Sequence, residues 1–129
     1  MKYFTISELT HSDKAKELRI DNTPFSYTIV DNLTNLTEKL LDPIREMWGK
    51  PLNVNSGYRC SALNKAVGGK PTSQHLKGEA VDITTGSKAE NKKLFEMIKE
   101  SGLVYDQLID EYGFSCIHIS LKRDGKNRK

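Results

Sequence analysis

The chain has 129 residues, 29% of them charged, 36% hydrophobic, and a formal net charge of +3. That length suits one compact core, and the balanced charge excludes a disordered acidic or strongly basic protein. No stretch approaches the roughly 18 to 20 apolar residues of a membrane span, and "MKYFTISELT" lacks the apolar run of a secretory signal. A protein made in the cytoplasm and reaching any outside target by a route not encoded here is therefore expected. Cys60 and Cys116 are the two cysteines, too few for a disulfide framework and expected as free thiols. Basic residues alternate with acidic ones and no aromatic-basic platform appears, so nucleic acid is not an expected partner.

In chain order, "ISELTHSDKAKEL" offers Ser7 and Ser12 as helix caps. Ile29, Leu33, Leu36, Leu40, Ile44 and Met47 then recur at three- and four-residue intervals, predicting a long helix with one buried face. Pro43 is expected to kink it, and Gly49 with Pro51 to end it, leaving Trp48 as a core residue. "LNVNS" reads as a short strand, "SALNKAVGG" as a brief helix, "KPTSQHLKG" as a loop and "EAVDIT" as a strand. "SKAENKKLFEMIKESG" predicts a second clear helix capped by Ser87 and closed by Gly102. "QLIDEY" and "CIHISL" close the fold as two strands joined by a short turn. Helices first, then strands around another helix, predict an α+β fold: a small, largely antiparallel sheet with helices packed on one side. Residues 1–121 form the expected single domain, and "KRDGKNRK", 122–129, a basic flexible tail.

The two polar residues inside these strands carry the chemistry. In "CIHISL", Ile117, Ile119 and Leu121 share one face, while Cys116, His118 and Ser120 share the other. In "EAVDIT", Val81 and Ile83 lie opposite Asp82. His75 precedes that strand on a loop, with Gly78 to turn it back over the strand. Converging there, two imidazoles and one carboxylate would form a zinc-type ligand set with a fourth position open, as in a catalytic site. On pattern alone, a surface or satisfied His118 and an Asp82 that pairs with a lysine or caps a turn stay open beside it.

"VNSGYRCSALNKAVGGKPTSQHLKGEAVDI", followed by "DQLIDEY" and "CIHIS", resembles the zinc D-alanyl-D-alanine carboxypeptidase and murein endopeptidase family. Its fold is shared with the signalling domain of hedgehog proteins. The likeness runs from about Leu36 to Leu121. It implies His75, Asp82 and His118 as ligands of one Zn²⁺ per chain, and Arg59 of "GYR" as the residue that binds a substrate carboxylate or carbonyl. It further implies hydrolysis of D-amino-acid-containing bonds in peptidoglycan stem peptides by a monomeric enzyme, in keeping with a phage or prophage lysis protein. Ser73 and Gln74 are implied at the pocket beside His75; Tyr58 and Tyr112 are further candidates to hydrogen-bond substrate, against the commoner place of a tyrosine in the core.

The general base departs from the family pattern. Relatives carry an acid three residues before the last ligand, here Ser115, or a histidine two before it, here Cys116. The acid in "QLIDEY" makes Glu111 the leading base and Asp110 the second choice. Cys116 stands as a weak proton acceptor, a fourth ligand or a small filler beside the pocket. A fourth ligand would favour the competing reading, a metal-stabilised binding module without turnover.

Overall fold

A computed structural model describes residues 1–128. Two short helices, α1 (Ile6–Thr10) and α2 (Asp13–Glu17), precede the long helical stretch made of α3 (Tyr27–Leu36) and α4 (Asp42–Trp48). Strand β1 (Asn53–Ser56), helix α5 (Ser61–Ala66) and strand β2 (Ala80–Thr84) follow, then α6 (Lys88–Glu100), β3 (Gln107–Glu111) and β4 (Cys116–Ser120). The four strands form one sheet in the order β1-β2-β4-β3, every neighbouring pair antiparallel. The α+β architecture expected from the alternation of patterns is the one found.

Local chemistry explains the helix starts. Ser12, Ser26 and Ser87 each accept a backbone N–H three residues on, satisfying donors that have no intrahelical partner. For α1 the cap is Thr5, whose hydroxyl accepts from Glu8 N, so Ser7 lies inside the helix rather than before it.

The kink expected at Pro43 takes the form of one wide π turn, Thr37–Leu41, between α3 and α4. Proline cannot donate to the carbonyl four residues back, and the chain widens there so that Asp42 N reaches Thr37 O instead. The extra residue rotates the apolar stripe. Beyond Ile44 it continues through Trp48, which packs on the core, while Met47 turns outward and is 47% exposed.

One continuous core joins the helices to a single face of the sheet. Leu33, Leu36, Leu40 and Ile44 from the long helical stretch meet Leu94 and Ile98 of α6 and Val81, Ile83, Ile117 and Ile119 of the sheet. Each such fully buried side chain contributes about 1.5–3 kcal/mol. Val81 lies opposite Ile119 and Ile83 opposite Ile117, so the apolar faces of β2 and β4 coincide. Their other faces coincide as well, and that is where the site forms.

Past Leu121 the chain turns back. Lys122 N donates to Asn127 Oδ1, and Arg123 N to Glu79 Oε2. Arg128 grips Asp106 through its backbone N–H and its guanidinium. The part of the expected flexible tail that the structure describes is thus tied to the sheet by backbone and side-chain bonds that no local pattern announces. Among the described residues no helix is long and apolar enough to cross a membrane.

Candidate metal centre and active site

Two ligand-type residues face each other by register. Asp82 of β2 pairs with His118 of β4, and His118 Nδ1 stands 2.9 Å from Asp82 Oδ1. The third comes from a short 3₁₀ turn, Gln74–Lys77, capped by the Ser73 hydroxyl and ended by Gly78 in the left-handed region. A side chain on Gly78 would press on Ile29 O at 2.8 Å, so the turn is seated directly on α3. Asn32 of α3 adds a bond to Lys77 O. This seating sets His75 2% exposed, its Nε2 3.3 Å from Asp82 Oδ1.

The remaining nitrogen of His75 is spoken for. Nδ1 lies 2.7 Å from the Gly57 carbonyl, to which it donates, leaving Nε2 bare toward Asp82 and His118. Gly57 must be glycine here, because a Cβ would overlap the Leu9 carbonyl. One ligand atom from each of His75, Asp82 and His118 lies within 4.8 Å of the others. Two imidazole nitrogens and a carboxylate oxygen on three rigid supports fit a zinc ion with a position to spare. These are the three residues that strand parity and loop placement brought forward.

Electrostatics agree with a site built for a cation. Burial would raise the Asp82 carboxyl, but when the imidazoles of His118 and His75 carry a second proton their hydrogen bonds and attraction outweigh it and hold the group well below the usual range. Nε2 of His75 is bare only in the neutral tautomer that binds a metal. The Asp82 carboxylate is therefore ionised at any working pH.

The centre opens into a cavity of about 540 Å³ whose walls include Arg59, Ser73, Gln74, Glu111 and Tyr112. Arg59 is fixed by its backbone bond to His75 O, and its buried Nε has no hydrogen-bond partner among the described residues. Burial lowers its pKa, offset by the nearby charges of Asp82 and Glu111. Glu111 closes β3 opposite Cys116, on the same face as His118, with Oε1 3.9 Å from His118 Nδ1. It is partly exposed, open both to solvent and to the centre.

Several expected site residues lie elsewhere. Asp110 pairs with Ile117 on the other face and is exposed, away from the cavity, as the alternation along β3 requires. Tyr58 is 1% exposed and belongs to the core, because the turn at Gly57 packs against α1 and carries the next side chain inward. Ser115 sits in the turn before β4, its hydroxyl donating to Tyr112 O. Cys116 is buried beside Glu111 but outside the convergent ligand group. Burial first, then the charges of Asp82 and Glu111, push its thiol up to about 11, so it stays protonated near neutrality. Of the three roles left open for Cys116, its place outside the ligand group favours the small filler.

The cavity also holds residues that the sequence did not bring forward, chiefly Lys70, Gln107 and Arg128. Lys70 lies in a polar loop, where its type is unremarkable. Asn22 is a hidden support: it accepts from Cys60 N and donates to Thr10 O and Tyr58 O, bracing the segment that carries Arg59.

A sequence model of the family described as Peptidase M15 matches residues 2–120. The chain belongs to the peptidase M15 family. It is also 44% identical over 41 residues to the zinc D-Ala-D-Ala carboxypeptidase of Streptomyces albus G. That match covers 32% of this chain and only 16% of the Streptomyces enzyme. Membership of the M15 family gives the convergence of His75, Asp82 and His118 a catalytic context beside its geometric one.

Proposed function

We propose that this M15 chain is a zinc-dependent peptidase that hydrolyses D-amino-acid-containing bonds of peptidoglycan stem peptides. The observation that carries the reading is the convergence of His75, Asp82 and His118 at the floor of a cavity walled by Arg59 and Glu111. The family match over residues 2–120 and the name of the Streptomyces relative supply the substrate class. Removal of a terminal D-alanine and cleavage within the stem, for instance between L-alanine and D-glutamate, both fall within it. An open cavity suits the second, and release at the wall as a phage lysis enzyme is the setting we infer for it.

His75 Nε2, Asp82 and His118 Nδ1 would hold the zinc, which when bound supplies Lewis acidity to polarise a peptide carbonyl and to acidify a water. Glu111 takes the proton of the attacking water, and its partial exposure lets it turn and deliver that proton to the departing amine. Arg59 presents N–H donors to a substrate carbonyl or carboxylate, orienting the chain and favouring negative charge as it develops on oxygen. Gly57 keeps His75 in the tautomer that leaves Nε2 free. Cys116 fills the space beneath Glu111 as a neutral thiol.

The test is mass spectrometry of purified peptidoglycan digested with zinc-loaded protein. New peptide termini that vanish with a chelator are expected. No new terminus from protein carrying a full complement of zinc would leave the binding-module reading in its place.

A further inference from the structure

We propose that Arg128 is a specificity-determining residue of this same cavity, holding a substrate carboxylate at the end remote from Glu111. The inference rests on the peptidase reading above and deepens it.

Three observations converge on Arg128. Its anchor is unusually complete: backbone N–H to Asp106 Oδ1 at 2.6 Å, Nε to the same carboxylate at 3.1 and 3.2 Å, and Nη2 to Oδ2 at 2.6 Å. Asp106 itself is a side chain with no exposure, so the ion pair is fixed from below. A second bond, Nη2 to Gln74 Oε1 at 3.3 Å, ties the guanidinium to the residue next to His75.

Arg128 is nevertheless not consumed by this anchorage. Its side chain remains 56% exposed and lines the cavity, and the bonds to Asp106 and Gln74 run through the backbone N–H, Nε and Nη2 rather than Nη1. The anchor thus leaves Nη1 uninvolved, on a half-exposed side chain at the wall of the cavity. Because the anchor already immobilises the fork, a carboxylate meeting Nη1 costs little further side-chain ordering.

Position gives the contact its meaning. Gln107, next to Asp106, and Glu111 lie four residues apart on one face of β3, about 13 Å at strand spacing, with Ile109 opposite His118 between them. Arg128 therefore marks one end of the cavity and the base the other, with the ligand cluster between. A stem peptide lying along this line puts a carboxylate about two residues from the bond that is cut within reach of Arg128.

The experiment compares a synthetic stem pentapeptide with free carboxylates against forms amidated at each carboxylate in turn, using zinc-loaded protein. For wild type, amidation at one position is expected to raise KM about 10- to 100-fold. In Arg128→Gln that ratio falls to near one while kcat stays within about threefold, and Arg128→Lys keeps part of the preference. The double variant Asp106→Asn with Arg128→Gln removes the buried charge that Arg128→Gln strands, so folding loss does not mask the result. An undiminished carboxylate preference in the folded, zinc-loaded double variant overturns the proposal. If wild type cuts none of the peptides, the peptidase reading fails by itself, and the same ratios are read as Kd by titration calorimetry. A carboxylate preference in wild type that the double variant loses then still supports Arg128, and none in wild type overturns it.

Discussion

Asp82 and His118 stand directly opposite one another on adjacent antiparallel strands, their ligand atoms 2.9 Å apart. Asp82 Oδ1 also lies 3.3 Å from His75 Nε2, so one carboxylate oxygen gathers both imidazoles. Replacing Asp82 by Asn keeps the shape and removes the charge. Zinc content measured by atomic emission is expected to be one per chain in wild type and far below that in Asp82→Asn and His75→Ala. Full zinc in both variants would place the metal elsewhere.

The orientation of His75 rests on Gly57. In Gly57→Ala the new methyl overlaps the Leu9 carbonyl, and the backbone must move, carrying with it the carbonyl that receives His75 Nδ1–H. Zinc affinity is expected to fall about 10- to 100-fold, as for other losses of a partner behind a ligand, when measured by competition with a chromogenic chelator. Unchanged affinity would remove Gly57 from the account of the site.

Glu111 and Asp110 are adjacent in sequence and on opposite faces of β3. Glu111→Gln is expected to lower kcat about 10²- to 10⁴-fold with zinc retained, while Asp110→Asn stays near wild type. Equal losses from the two substitutions would contradict the assignment of the base by register.

Cys116 offers a test of the competing ligand role. Cys116→Ala is expected to keep its zinc and most of its activity, since the thiol lies outside the ligand group. Iodoacetamide at neutral pH is expected to modify the partly exposed Cys60 before Cys116. Loss of zinc in Cys116→Ala would revive the closed, four-ligand site.

The Asp106–Arg128 pair predicts a pH dependence. Hydrogen bonds from Arg128 hold the Asp106 carboxyl down at about 2, against 3.8 for the free group, in spite of burial. A lowered carboxyl contributes stability that is present above the unfolded value and lost as pH falls toward the folded one. The pair should therefore add about 1–2 kcal/mol near neutrality, discounted for the exposure of Arg128, and lose it between about pH 4 and 2. Urea unfolding of wild type and Asp106→Asn with Arg128→Gln at pH 7 and pH 2.5 measures this. A stability gap that does not narrow in acid would contradict it.

The strands were the most legible part of the chain, and the reason is geometric. Side chains alternate with period two, so Ile117 and Ile119 in the core oblige His118 to face away, and Val81 and Ile83 do the same for Asp82. The same rule separates Glu111 from Asp110. Where a residue's surroundings come from distant chain, local pattern was mute or misleading. Tyr58 is expected at the pocket, yet contact of Gly57 with Leu9 sends it into the core, the commoner place for a tyrosine. The three- and four-residue spacing of the long helix counts Met47 as buried, because it cannot register the added residue of a π turn. Arg128 reads as one more cation in a polar run, and only folding brings it onto Asp106, 22 residues away.

The register of β2 against β4 also makes the core and the chemistry guard one another. A slip of one residue would set an isoleucine across from Asp82 and drive His118 into the oily interior. A misaligned sheet would thus be greasy outside and unable to capture its ion at once, so catalytic competence doubles as a certificate of correct assembly.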